Sequence, residues 1–237
     1  MADELILHLG DFKTGSTALQ SALHSGAYEV PGQPPLFYPG KGGNHNGMVQ
    51  ALNRPGAQER AEVLLRKTGR QIQESGAARA VISAEHFQNT DPQQLQQMLT
   101  QHWPWAGDRL RLIAYVRPHA DKLLSVFSTQ LRMGFDYPSV DALFEEQSAK
   151  DKLDYTPRFQ RWRAVFGDRF ELRPFIRSQL HGGDIITDFM QFAYGSGDVQ
   201  LLGRAVANAS LTVGQMALLR LLTGPLNQGR RPKELRK

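Results

Sequence analysis

The chain has 237 residues, of which 41% are hydrophobic and 22% are charged. This length suits one α/β domain with a substantial core, and the composition is that of a soluble globular protein. The absence of cysteine excludes disulfides, thiolate metal sites and cysteine nucleophiles. Acidic residues occupy the N-terminal positions where a signal peptide needs positive charge, and no stretch approaches the roughly 18 apolar residues of a membrane span. We therefore expect a cytoplasmic protein with no membrane span.

The net charge of +5 is concentrated at one end of the chain. Residues 229–237 hold five Lys or Arg and one Glu, while the rest of the chain is close to neutral. We expect this basic tail to be solvated, flexible and not to bind nucleic acid. A non-catalytic protein that binds nucleic acid or another partner through the tail is the alternative, and it predicts a steep salt dependence.

Short apolar runs alternate with helical patterns along the chain, which is typical of βαβ units and a parallel sheet. In chain order the sequence predicts a strand at residues 5–9, a helix at 17–25, a long loop at 28–47, a helix at 57–74, strands at 80–83 and 110–116, a helix with Pro118 in its first turn, a strand at 170–173, and helices at 184–194 and 210–222. The predicted fold class is therefore α/β, with a central parallel sheet flanked by helices. We expect a single domain over residues 1–237, with mostly helical cover after about residue 150.

The loop after the first predicted strand has the features of a phosphate-binding loop. Gly10 and Gly15 are spaced like the outer glycines of the Walker A pattern G-x-x-x-x-G-K-[ST], but Ser16 stands where that pattern has lysine, and the lysine is Lys13 instead. Glycines allow backbone N–H groups to turn inward, and the N-terminus of the following helix adds partial positive charge. The displaced lysine disfavours an ordinary ATPase or GTPase. A helix N-terminus capped by hydroxyls, without a ligand, is the structural alternative.

This loop resembles that of the sulfotransferases that use 3′-phosphoadenosine 5′-phosphosulfate (PAPS), in which K-[TS]-G-[TS]-[TS] holds the 5′-phosphosulfate. The chain matches all five positions with Lys13, Thr14, Gly15, Ser16 and Thr17. The resemblance implies a P-loop-like three-layer fold, with PAPS as co-substrate and no metal. It also implies that Lys13 stabilises the charge that grows on the bridging oxygen during transfer.

A second element of the resemblance follows the third predicted strand. The family ends a later strand with an arginine and places a serine eight residues on, and the two bind the 3′-phosphate; here these residues are Arg117 and Ser125. A guanidinium can hold a phosphate bidentately. A looser likeness to bacterial and carbohydrate-type sulfotransferases continues to about residue 215. The R-K-G-x-x-G loop of the cytosolic small-molecule branch is absent.

Three side chains are candidates for the base that takes the acceptor proton. Glu85 and His86 follow the second predicted strand, and the carboxyl ends of parallel strands converge on the ligand crevice, so we expect this segment to face Lys13 and Arg117. Glu85 is the first choice and His86 the second, as glycan-type relatives use a glutamate or histidine from a comparable place. His45, in the glycine-rich loop, is the third candidate and is expected to contact the acceptor substrate. A loop carboxylate paired with a neighbouring cation, and an idle exposed histidine, are the structural alternatives.

The expected function is transfer of a sulfuryl group from PAPS to a hydroxyl or amine of an acceptor, a glycan or a small molecule. A P-loop-type nucleotide kinase or ATPase is one alternative, and it would require magnesium. A non-catalytic nucleotide-binding relative is the other. The sequence identifies neither the acceptor nor the oligomeric state.

Overall fold

The structure is a computed structural model that describes residues 3–134, 138–195, 198–202 and 211–226. The chain forms two compact units, one from residues 1–116 and 158–206, the other from residues 117–157 and 207–237. The predicted basic tail at residues 229–237 lies outside the described residues.

The strands are β1 Glu4–Leu9, β2 Tyr28–Glu29, β3 Arg79–Ala84, β4 Leu110–Val116, β5 Phe170–Pro174 and β6 Gln200–Leu201. The α-helices are α1 Ser16–Ser25, α2 Asn46–Asn53, α3 Gln58–Glu74, α4 Pro92–His102, α5 His119–Arg132, α6 Val140–Ala149, α7 Tyr155–Phe166, α8 Ile185–Tyr194 and α9 Val213–Leu226. Within the described part of the chain, no helix is long and apolar enough to cross a membrane.

The first unit is built on a four-stranded parallel sheet in the order β3-β1-β4-β5. β1, β3 and β4 are the apolar runs that the sequence predicts, because strands covered on both faces require continuous apolar segments. The edge strand β5 contains Glu171 and Arg173 and is only partly buried. The register aligns Leu9 with Ala84 of β3 and with Ala114 of β4. The carboxyl ends of the three strands therefore lie at the same edge of the sheet. A separate antiparallel pair joins β2 to β6.

Helices cover both faces of this sheet. Alternate residues of β1 point to opposite faces, so Leu5 and Leu7 pack with α2, α3 and α4 on one side, and Ile6 packs with α1 and α8 on the other. The first unit thus has the three layers that the sequence predicts, with the central strand β1 buried along almost its whole length.

The predicted loop at residues 28–47 contains more regular structure than the sequence indicates. β2 lies within it, α2 begins before its end, and Phe37 pairs with the outer edge of β3 through two main-chain hydrogen bonds of 2.9 Å, one with Arg79 and one with Val81. A two-residue strand and a single bridge are too short to produce a periodic hydrophobic pattern in the sequence. They form because a distant strand supplies their hydrogen-bond partners.

Helix α4 was not predicted, although its N-terminus has a recognisable signal. The Asp91 side chain accepts hydrogen bonds from the N–H groups of Gln93 and Gln94, and Pro92 occupies the first turn. Leu95 and Leu99 follow four residues apart and are both buried. The cap and this spacing together are typical of an amphipathic helix.

The second unit consists of α5, α6, α9 and the first turn of α7. Its small core is formed by Leu123, Phe127, Leu131, Leu143 and Met216. Helix α5 begins at His119, so Pro118 occupies the N-cap position rather than the first turn. The His119 ring stacks on Tyr155 with the ring centroids 4.4 Å apart.

A buried histidine lies in the middle of the sheet of the first unit. His8 is fully buried, its Nδ1 lies 2.7 Å from the Ser83 hydroxyl, and Gln20 also donates to that hydroxyl. Among the residues that the structure describes, the Nε2 atom of His8 has no hydrogen-bond partner. Burial lowers the pKa of His8 from 6.5 to about 3, because the imidazolium form would lose its hydration. His8 is therefore neutral in the folded protein.

We expect His8 to make the folded state sensitive to acid. A histidine whose folded pKa is depressed contributes stability that is present above its unfolded pKa and is lost as pH falls from 6.5 towards 3. Over this window the free energy of unfolding should fall by up to about 1.4 kcal/mol per pH unit for one proton. Chemical denaturation at several pH values should give a smaller slope for His8→Asn than for the wild type. Equal slopes in the two proteins would contradict this assignment.

Candidate functional site

The loop between β1 and α1 lies at the carboxyl edge of the sheet and is built around two glycines. The N–H of Gly10 donates to the carbonyl of Ala84, the last residue of β3, at 3.1 Å. A Cβ on Gly10 would lie 2.9 Å from the Ser16 hydroxyl and 3.1 Å from the Glu85 Cα, so no larger residue fits there. Gly15 has a φ of 77°, which glycine adopts without strain. The loop thus has the tight curvature of a phosphate cradle.

Lys13 is the non-glycine residue in this loop with a left-handed backbone, at a φ of 71°. This conformation is costly for a residue with a Cβ, and it persists only where the surroundings impose it. Its side chain is partly exposed. Lys13 is also close enough to Glu85 to influence the pKa of that carboxyl group.

The loop hydroxyls turn inward. Thr14 and Ser16 are buried, and both side chains donate to the carbonyl oxygen of Asp11, at 2.8 and 3.4 Å. Helix α1 begins at Ser16, and the first N–H groups of a helix have no partner within the helix. These N–H groups, with Lys13 and the exposed Thr17, are the donors that the loop offers to an anion.

Glu85 lies against this loop, as the sequence predicts. It follows β3 directly, and its Cα and Cγ are next to Gly10. Its main-chain N–H donates to the Asn46 side chain at 2.8 Å, which holds the start of α2 against the end of β3. Burial is the main cause that raises the pKa of Glu85; the charge of Asp11 raises it further, and the Lys13 ammonium opposes both.

His86 is the next residue, and a different set of contacts holds it. Gln50 donates to its Nε2 atom at 2.7 Å, and Asn53 donates to its carbonyl oxygen at 3.0 Å. Its ring meets the ring of Phe12 edge-on, with the centroids 6.0 Å apart. Phe12 is exposed at the tip of the phosphate loop. The structure thus brings Lys13, Glu85 and His86 to one place in the first unit.

His45 is buried between the long loop and the end of β3. Nδ1 lies 3.1 Å from the main-chain nitrogen and 3.2 Å from the carbonyl oxygen of Ser83, and Nε2 lies 3.0 Å from the Pro39 carbonyl oxygen. Burial lowers the pKa of His45, in agreement with a neutral ring. Both nitrogens contact the main chain, so this geometry favours a role in fixing the loop. The predicted contact of His45 with an acceptor stays a prediction.

Arg117 and Ser125 belong to the second unit. Arg117 is the residue after β4 in the chain, and its carbonyl accepts a hydrogen bond from the Tyr155 hydroxyl at 3.0 Å. Ser125 is partly buried on α5, and its carbonyl accepts from the Thr129 hydroxyl at 3.0 Å. Their predicted contact with a 3′-phosphate stays a prediction.

The sequence did not indicate two other interactions at this site. Asp11 is buried in the phosphate loop, and its Oδ2 lies 3.0 Å from a guanidinium nitrogen of Arg158 on α7. The two residues are 147 positions apart, so no local spacing could reveal the pair. Asn46 and Glu85 are 39 positions apart, which is also too far for a local motif to reveal their contact. Among the described residues, no group of three or more His, Asp or Glu is arranged to hold a metal ion.

No protein-family model and no curated protein sequence matches this chain. Its structure is similar to the crystal structure of a sulfotransferase from Alicyclobacillus acidocaldarius, with a TM-score of 0.54 and 13% sequence identity. The similarity covers 95% of this chain and 93% of that chain. The chain therefore has a sulfotransferase-like P-loop fold, which confirms the predicted fold class.

Proposed function

We propose that the chain is a PAPS-dependent sulfotransferase. The observation that carries this proposal is the position of Glu85, against a phosphate loop whose lysine lies inside the loop rather than after it. An anion cradle, a cation and a carboxyl group with a raised pKa at one sheet edge suit a transfer reaction from an anionic donor. The sulfotransferase-like fold supports the same conclusion.

The residues present fit the 5′-phosphosulfate end of PAPS. The absence of a Cβ at Gly10 lets the loop pack closely against Ser16 and the Glu85 segment, and the N-terminus of α1 supplies N–H donors for an anion. We assign Arg117 and Ser125 to the 3′-phosphate on the basis of the sequence resemblance. When bound, PAPS supplies an activated sulfuryl group with a phosphate leaving group.

Lys13 and Glu85 take the two roles that the transfer requires. The Lys13 ammonium stabilises negative charge on the oxygen that bridges sulfur and the leaving phosphate. The Glu85 carboxylate accepts the proton of the attacking hydroxyl or amine. Partial burial raises the pKa of Glu85, which makes its carboxylate a stronger base than that of a solvated glutamate.

His86 is the second candidate for the base, and its ring is oriented by Gln50. We place Glu85 first because its Cα and Cγ lie beside Gly10, whereas the ring of His86 meets the ring of Phe12 with the centroids 6.0 Å apart. The exposed Phe12 ring beside these two side chains provides an apolar face on which an acceptor could lie. We propose a glycan or a small hydroxyl- or amine-bearing molecule as the acceptor.

The nucleotide site can be tested directly by calorimetry with adenosine 3′,5′-bisphosphate, ATP and AMP, without added magnesium. We expect selective binding of the bisphosphate. Lys13→Ala and Arg117→Ala should each weaken it by about 10- to 100-fold, because each removes a charge-assisted hydrogen bond to a phosphate group. The matched controls are Lys67→Ala and Arg70→Ala, which remove exposed cations of α3 and should leave the affinity unchanged.

Magnesium-dependent preference for ATP would overturn the proposal in favour of a nucleotide kinase or ATPase. Binding of the bisphosphate, without transfer of a sulfuryl group from PAPS to any acceptor in a broad panel, would favour the non-catalytic relative.

The role of Glu85 predicts opposite effects of Glu85→Gln on activity and stability. Loss of a general base should lower kcat by about 10²- to 10⁴-fold. A carboxyl group with a raised folded pKa contributes stability below its unfolded pKa, and this contribution is lost as pH rises through the folded pKa. At pH 7 the variant should therefore have an equal or higher Tm. A large loss of Tm would instead show that Glu85 is a structural ion-pair partner.

The pH dependence of the reaction should also identify the base. Because burial raises the pKa of Glu85 above 4.5, kcat/KM should fall on the acid side with an apparent pKa above that value. This acid limb should disappear from the residual activity of Glu85→Gln and persist in His86→Asn. Loss of the limb in His86→Asn would assign the proton transfer to His86.

A further inference from the structure

The phosphate loop contains a buried negative charge. Asp11 is 2% exposed, and its Oδ1 atom accepts a hydrogen bond from the N–H of Phe12 at 2.9 Å. Its carbonyl oxygen accepts the hydroxyls of Thr14 and Ser16. Asp11 therefore shapes the loop through both its main chain and its side chain.

The charge of Asp11 is met from a distant part of the sequence. Arg158 lies in the first part of α7, its Nη2 is 3.0 Å from Oδ2 of Asp11, and its side chain is 15% exposed. The guanidinium also lies over the Phe159 ring, 4.5 Å from the centroid. Both side chains of the pair are largely buried, so their electrostatic interaction is stronger than that of an exposed ion pair.

This arrangement matters because the loop is proposed to bind a polyanion. A buried carboxylate next to the site repels an anionic ligand more strongly than an exposed one. The charge of Asp11 does reach the site, since it is one of the causes that raise the pKa of Glu85. An opposite charge held against Asp11 would cancel this repulsion while leaving the hydrogen bonds of the loop intact.

We infer that Arg158 is a positioning residue of the phosphate loop, which neutralises Asp11 and holds it in the geometry that admits an anionic ligand. This inference rests on the proposed function, because it takes the loop as the site of the 5′-phosphosulfate. Arg158 acts through Asp11 and is not assigned a contact with the reacting atoms.

A purely structural ion pair would have a different signature. It would tie α7 to the sheet edge, so its loss would lower Tm. Anion affinity and the pKa of Glu85 would then not depend on whether residue 158 carries a positive charge. The test therefore separates charge from stability with Arg158→Gln, Arg158→Lys and the double variant Asp11→Asn/Arg158→Gln. Arg161→Gln is the matched control, because Arg161 is exposed on the same helix.

The measurements are calorimetric affinities for adenosine 3′,5′-bisphosphate and for inorganic pyrophosphate, with the Glu85 pKa from carbon NMR of the carboxyl group. Arg158→Gln should weaken anion binding by about tenfold or more and raise the pKa of Glu85, because the Asp11 carboxylate loses the charge of its guanidinium partner. Arg158→Lys, which keeps the charge, should retain most of the affinity. The double variant should recover affinity and lower the Glu85 pKa again, because it removes both charges and leaves an amide pair.

Unchanged anion affinity in Arg158→Gln, or no recovery in the folded double variant, would overturn the role of Arg158. Pyrophosphate binding that depends on Arg158, without binding of the bisphosphate, would support this role and overturn the proposed function. Absence of binding of both anions to the wild type would overturn both.

Discussion

The parallel register of β1 between β3 and β4 is the constraint on which the first unit depends. It brings Leu9, Ala84 and Ala114 level at one edge of the sheet. The chain must leave β1 at this edge, and the Gly10 N–H continues the pairing with β3 by one further bond to Ala84. The phosphate loop and the Glu85 segment are neighbours for this reason. The site is a consequence of sheet pairing, since the two segments are separated by about a third of the chain.

The loop itself is held by several polar interactions that share one residue. Lys13 adopts a left-handed backbone, which costs roughly 1–2 kcal/mol for a residue with a side chain. Asp11 accepts the hydroxyls of Thr14 and Ser16, caps the N–H of Phe12 and pairs with Arg158. Together these contacts can hold the strained conformation that turns Lys13 towards Glu85. Asp11 shapes the loop but also adds a negative charge to it, and Arg158 is the cation that pairs with this charge.

The four charged groups around the loop form a balanced set. Lys13 and Arg158 are cations, and Asp11 and Glu85 are acids that influence each other across a partly buried space. Each acid has a cation near it, so the negative potential that Asp11 and Glu85 place at the loop is largely offset. The ring of His45 contacts the main chain of both Pro39 and Ser83, so it links the long loop to the end of β3, next to Glu85.

The sequence by itself determined the α/β class, the positions of the four parallel strands and the glycine, lysine and hydroxyl pattern of the loop after β1. These features are local: apolar runs of strand length, and a glycine, lysine and hydroxyl pattern that lies within eight residues. It also pointed to Glu85 and His86 at the end of β3 as candidates near the loop, because strand ends in a parallel sheet converge. The short strand pair β2–β6, the Phe37 bridge, the enclosure of His45 and the Asp11–Arg158 pair were decided only by the tertiary structure. Apart from the His45 contact with Pro39, which spans six positions, the partners lie tens to more than a hundred positions apart. No residue pattern within a segment records which distant segment will pack against it.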